Sequence, residues 1–310
     1  MTQSNLRFVA VFLISVLVIA FQLAVMRSFS VGSWSNFGEL VISIALFGFG
    51  LAGTAFSFLR DRIAKHPNRW LQICAMALAP TMVVAHVLAQ LVPFRPVLIG
   101  SNPAEAWWIV LYYGIYAVPF LIGAAFIGVC FIALSSRLHR LYFWNLAGSG
   151  VGGFLLLGTL YFLPPHRLLL PLVVLGLVAA ALTLARADGA GGRLRIPPLP
   201  ALAAVVVHAL AAWLLIGAGD IRVSEYKPVS YIRNFADTEL VTSRNGPLGA
   251  MEVYRSSFLH FAPGLSDNAS FQLEQLPRDA FWGLYIDGDG PIGMLRNWAT
   301  QFMPNGLAAN

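Results

Sequence analysis

The glycines of Gly148-Ser149-Gly150-Val151-Gly152-Gly153 fall at the G-x-G-x-x-G spacing that lets a backbone approach a dinucleotide pyrophosphate. That chemistry needs a strand before the motif and a helix opening toward water after it, whereas here the motif follows Asn145-Leu146-Ala147 inside an apolar run. In such a run Gly148 with Gly152, and Ser149 with Gly153, are small-xxx-small pairs, expected to let another helix approach closely.

Asp287 and Asp289 stand two apart. On a strand they would share a face, as an acid/base pair or a cation site requires, while their glycine neighbours fit a plain turn. Glu39 opens an apolar segment close to Asn36, placed either to bind a cation or to be solvated at an interface. Gln22, Gln90 and Asn145 lie within apolar segments and suit hydrogen bonds between helices. His86 and His208, each alone on its segment, could be imagined as axial haem ligands or as side chains satisfied by a hydroxyl or carbonyl. The two cysteines, Cys74 and Cys130, both inside apolar runs, build neither a disulfide framework nor a CxxC site. The sequence has no P-loop, His-Glu-x-x-His or Gly-x-Ser-x-Gly motif, and no cofactor is expected.

The elements that carry these residues are set by composition. Of 310 residues, 58% are apolar and 11% charged, against ~45–50% and ~25% in soluble domains, which excludes a soluble globular class. Seven stretches reach the ~20 apolar residues that span a ~30 Å hydrocarbon core. They are Phe8 to Met26, Gly38 to Leu59, Trp70 to Leu91, Trp107 to Leu134, Leu141 to Leu163, Leu168 to Ala185 and Leu199 to Gly217. Arg60-Asp61-Arg62 is read as closing the second, and Pro164-Pro165 follows the fifth. Trp34, Trp70, Trp107, Trp108 and Trp144 lie near the ends of these stretches, as in an interfacial belt.

The net charge of +6 does not indicate a nucleic-acid partner, because the basic surplus lies in the loops between apolar segments. Ten Lys/Arg collect on one side (Arg7; Arg60, Arg62, Lys65, Arg69; Arg137, Arg140; Arg186, Arg193, Arg195) and three on the other (Arg27, Arg95, Arg167). The positive-inside rule then predicts a cytoplasmic N-terminus and, after seven spans, a tail outside; one span more or fewer would move the tail to the cytoplasm.

The expected fold is therefore an α-helical polytopic membrane protein of about seven transmembrane helices over residues 1–219, followed by a small β-rich module over 220–310. In the tail, Val229 to Phe235, Glu252 to Arg255, Leu259 to Phe261 and Phe281 to Ile286 read as short strands, the last ending in the turn signal Asp287-Gly288-Asp289-Gly290-Pro291. Asn268-Ala269-Ser270 is formally a glycosylation sequon.

Three groups of residues carry a resemblance. Phe21-Gln22-Leu23-Ala24-Val25-Met26-Arg27, Val41 to Gly50 and Gly53-Thr54 resemble the first two spans of bacterial membrane proteins fused to a spermidine synthase-like (polyamine aminopropyltransferase) domain. Asn145 to Gly150 resembles a helix start of the same family. Ser224-Glu225-Tyr226-Lys227, Gly246 to Val253 and Leu284-Tyr285-Ile286-Asp287-Gly288 resemble the small β-domain that precedes the catalytic domain of aminopropyltransferases. The resemblance implies a bundle and β-module leading into a Rossmann-like domain with a Gly-Gly-Gly-Asp-Gly nucleoside loop. After Asp287-Gly288 this sequence continues Asp289-Gly290-Pro291 instead, so the chain is not expected to catalyse alone.

The expected function is that of a non-catalytic subunit or scaffold in the bacterial inner membrane, with the lipid bilayer and other membrane subunits as its partners. The alternatives are the anchoring portion of an aminopropyltransferase-like enzyme and, secondly, a small-molecule transporter.

Overall fold

The computed structural model describes residues 3–93, 95–188, 193–256, 259 and 281–295. The sequon, the strand expected over 260–261 and residues 189–192 lie outside the described residues.

Seven helices among the described residues are long and apolar enough to cross a membrane. They are α1 (Gln3–Gly32), α2 (Gly38–Lys65), α3 (Pro67–Leu91), α4 (Ala106–Ala133), α5 (Leu138–Thr159), α6 (Leu170–Leu184) and α7 (Pro198–Ala218). Arg60-Asp61-Arg62 does not close α2, which continues to Lys65: water outside the hydrocarbon solvates the charges, and the helical hydrogen bonds run on through them. Between α6 and α7, β1 (Arg186–Asp188) pairs antiparallel with β2 (Arg193–Arg195), an arm the sequence reading did not anticipate.

The α1 helix is the core of the bundle. Of its most apolar window 67% is buried, against 22% for α5 and for α7. A helix apolar all round belongs inside, while α7 exposes Leu202, Val206, Leu210 and Trp213, a face suited to lipid. Phe21 of α1 packs on Phe120 of α4 with ring centroids 5.4 Å apart, and Phe29 on Tyr112 at 5.0 Å.

Helix directions follow from these contacts. Phe8 meets Arg140 and Phe12 meets Trp144, so α1 and α5 run parallel. Phe47 meets Tyr113 and Phe56 lies against Gly128, so α2 and α4 are also parallel. Gln72 bonds Thr183 while Ala79 touches Gly176, so α3 and α6 are antiparallel. Odd helices parallel to odd ones and antiparallel to even ones is the pattern that consecutive single crossings produce.

The chain divides into two compact units, Met1–Ser30 with Trp34–Arg222, and Val31–Ser33 with Val223–Asn310. In the second, α8 (Pro228–Arg233) precedes β3 (Glu239–Gly246), β4 (Gly249–Arg255), β5 (Phe281–Ile286) and β6 (Asp289–Leu295). The four strands form an antiparallel sheet in sequence order. The strand expected over Val229 to Phe235 is thus corrected to a helix. Pro228 presets the first helical turn, and the buried pair Val229 and Ile232 is spaced by three, which suits one helix face and not one strand face. These two residues with Tyr254, Tyr285 and Leu259 make the small core of this unit.

Candidate functional site

The polar groups of the second unit converge on one corner of its sheet. Asp287 and Gly288 form the two-residue hairpin turn between β5 and β6, both with positive φ, 54° and 80°. The Asp287 N–H donates to the Ala250 carbonyl at 2.8 Å, and the Ala250 N–H donates to Asp287 Oδ1 at 2.7 Å, which ties the turn to β4. The Val229 N–H, at the start of α8, donates to the Gly288 carbonyl at 3.1 Å. A Cβ on Gly288 would stand 3.0 Å from Val229 Cγ1, so the left-handed backbone and the close approach both call for glycine.

Lys227 closes this corner. Its side chain is fully buried, its ammonium donates to the Asp287 carbonyl, and it lies 3.4 Å from Asp289 Oδ2. Asp289 is the first residue of β6, paired with Ile286, rather than part of a five-residue turn. Asp287 and Asp289 therefore act together on one lysine, with the Asp287 carboxylate serving as an acceptor for the backbone of β4. The sequence reading quoted Lys227 within its motif but had no signal for its burial; an ammonium is buried only where acceptors await it, and those come from residues sixty positions away.

A second polar group flanks the corner. Arg233 at the end of α8 donates from Nε to the Tyr254 hydroxyl at 2.7 Å and from Nη2 to both Glu252 carboxylate oxygens at 2.9 and 2.7 Å. The Tyr254 O–H donates in turn to Glu252 Oε2 at 2.9 Å. Burial raises the Tyr254 phenol above its ordinary value, and burial lifts Tyr285 to about 12. The Glu252 carboxylate is engaged by both Arg233 and Tyr254, so the group orients and stiffens the sheet rather than offering a free base.

In the bundle, α5 meets α1 through the glycines noted in the sequence. A Cβ on Gly148 would lie 2.3 Å from the Phe12 carbonyl oxygen, and one on Gly152 2.6 Å from that of Val16. At Gly153 a Cβ would meet nothing within 4 Å. One further residue turns the helix by about 100°, so Gly148 and Gly152 form the seam while Gly153 lies off it. Ser149, half-buried, donates to the Asn145 carbonyl at 3.0 Å. The Asn145 side chain accepts from Ser15 Oγ at 2.8 Å, a bond between helices placed at the same seam.

Glu39 lies exposed in the first turn of α2, where the helix dipole favours a carboxylate. His86 Nε2 donates to the Gly219 carbonyl at 3.0 Å, and His208 Nδ1 to the Ala204 carbonyl at 2.8 Å. His208 stands at the level of Ala79, since both approach Gly176. That is two turns, about 10 Å along α3, from His86, so the imidazoles do not face one another across a haem-sized gap. Gln90 accepts the Arg222 N–H at 2.9 Å, tying the end of α3 to the segment after α7. Among the described residues no group of three or more His, Cys, Asp or Glu is arranged to hold a metal ion.

No family model matches this chain, and neither a curated protein nor a solved structure matches it.

Proposed function

We propose that this chain is a non-catalytic integral membrane scaffold, related to spermidine synthase-like membrane proteins, that holds partner subunits through its helix bundle and its β-module. The observation that carries this reading is the use made of Asp287 and Asp289. The pair best suited by spacing to acid/base chemistry is engaged with Lys227 and Ala250 in locking the sheet corner. Seven crossings from a cytoplasmic N-terminus, the orientation favoured by the ten-to-three Lys/Arg asymmetry, put the module on the outer face of a bacterial inner membrane. A cytoplasmic nucleoside donor does not reach that face.

Aminopropyl transfer needs a pocket that holds a sulfonium nucleoside against an amine and a group that takes the amine's proton. The purified chain, incubated with decarboxylated S-adenosylmethionine and putrescine, is expected to give no product above background. Turnover abolished by Asp287→Asn would overturn the scaffold reading. The native detergent-solubilised particle is expected to contain further membrane subunits.

One observation favours a second reading, the anchoring and β-domain portion of an aminopropyltransferase-like enzyme. Ser224 to Lys227, Gly246 to Val253 and Leu284 to Gly288, the tail segments that carry the resemblance, meet at a single corner through Lys227, Ala250, Asp287 and Gly288. A native particle that includes a Rossmann-like domain binding methylthioadenosine would decide for it.

A further inference from the structure

At the end of the bundle where α2 turns into α3, a cleft opens between the start of α3 and the end of α6. Its mouth is lined by Lys65, His66, Asn68, Arg69, Gln72 and Thr183. Past Asn68 and Thr183 the cleft closes on Arg7 and on the buried side chains of Leu71 and Phe126. No Asp or Glu is among the described residues that line either part. Two hydrogen bonds hold the walls in place: Arg7 Nη2 donates to Asn68 Oδ1 at 2.7 Å, and Gln72 Nε2 donates to the Thr183 carbonyl at 3.2 Å. Lys65 and Arg69, both exposed, are left to direct their charge at whatever enters.

We infer that this cleft binds a phosphate-bearing anion, and that the anion is the headgroup of an acidic phospholipid. Cations without a counter-carboxylate select a negative ligand, and a guanidinium beside an ammonium suits phosphate oxygens. The lipid source follows from the position of the cleft. The cationic mouth stands at the end of a membrane-length helix, and Trp70, one residue beyond Arg69, is half-buried where an interfacial indole belongs.

The inference rests on the bundle lying in a bilayer, which cysteine labelling tests separately. The full chain is reconstituted in vesicles of equal phosphatidylglycerol and phosphatidylcholine, re-extracted, and its retained lipid read by native mass spectrometry. Phosphatidylglycerol is expected to be retained in preference, and Lys65→Gln with Arg69→Gln to lower that retention by about tenfold or more. Arg60→Gln with Arg62→Gln removes the same charge from exposed positions at the same end of α2, outside the cleft, and is expected to leave retention unchanged. Equal losses in the two double variants, or equal retention of phosphatidylcholine, would overturn the site. Retention that survives excess inorganic phosphate supports the lipid source, and displacement by phosphate would overturn that source in favour of a soluble anion. Melting curves of both double variants confirm that each remains folded.

Discussion

Lys227 is the buried cation that anchors the four-stranded sheet. With no exposed surface, its ammonium is stabilised by the Asp287 carbonyl and the Asp289 carboxylate, and without it the Asp287 carbonyl loses a charged donor. Lys227→Met keeps most of the volume and is expected to lower the stability of this unit by about 2 kcal/mol, read by denaturant unfolding followed through Trp282 fluorescence. Asp289→Asn should cost under about 1 kcal/mol, because that carboxylate is half exposed. Equal effects would mean that the buried lysine is not the anchor. Tyr254 and Tyr285 set the alkaline limit of the same core. Burial raises both above the ordinary 10, Tyr285 to about 12. Unfolded tyrosine loses its proton first, so the stability these residues contribute is present below pH 10 and is lost at higher pH, for Tyr285 as pH rises through about 12. Tyrosinate absorbance should rise together with sheet loss over that range; ionisation of all tyrosines near pH 10 with the sheet intact would refute the assignment.

At the scale of elements, the α1–α5 seam shows how a membrane helix pair is made without a hydrophobic driving force. Close backbone approach at Gly148 and Gly152, with one hydrogen bond from Ser15 to Asn145, replaces it. Gly152→Leu must push against the Val16 carbonyl, and an overpacking cost of about 1–3 kcal/mol is expected, seen as a lowered melting temperature in detergent. Gly153→Leu, one position on and free of neighbours within 4 Å, should leave melting nearly unchanged. The sequence placed all four small residues on one helix, but only direction around the axis separates the pair on the seam from Gly153, and that depends on where α1 lies. The helix α8 teaches a related lesson, since Val229 to Phe235 alternates well enough to suggest a strand, and the burial of Val229 with Ile232 decides for a helix.

For the whole molecule, the parity of helix directions is the strongest structural statement about topology. Parallel α1 with α5 and α2 with α4, and antiparallel α3 with α6, are the directions that consecutive single crossings would give. Odd crossings put the two ends of the bundle's chain on opposite sides. A cysteine introduced at Ser243, exposed on β3, should be modified by an impermeant reagent added outside intact cells, while one at Ala64, exposed near the end of α2, should be spared. The native Cys74 and Cys130 are buried and leave a low background. The reverse pattern would invert the orientation, and with it the case against a cytoplasmic nucleoside donor.

What this sequence determined by itself is the part of the structure that is a local sum. Transfer into hydrocarbon adds up over about 20 consecutive residues, so seven membrane-length helices and their breaks at Pro93, Pro96 and Pro164-Pro165 were legible without knowing what touched what. A turn after Ile286 was legible for the same reason, since the Asp and Gly residues from Asp287 to Gly290 signal one within their own span, although the structure confines it to Asp287-Gly288 and begins β6 at Asp289. Only the tertiary structure decided that α1 is central, that Lys227 is buried against Asp287 and Asp289, that β3 and β6 complete the sheet, and that a cationic cleft forms beside α6. The burial of Lys227 and the seat of α1 bring together residues about 60 to 130 positions apart. For short or polar segments the free energy of burial lies in the partner, and no window of sequence contains it.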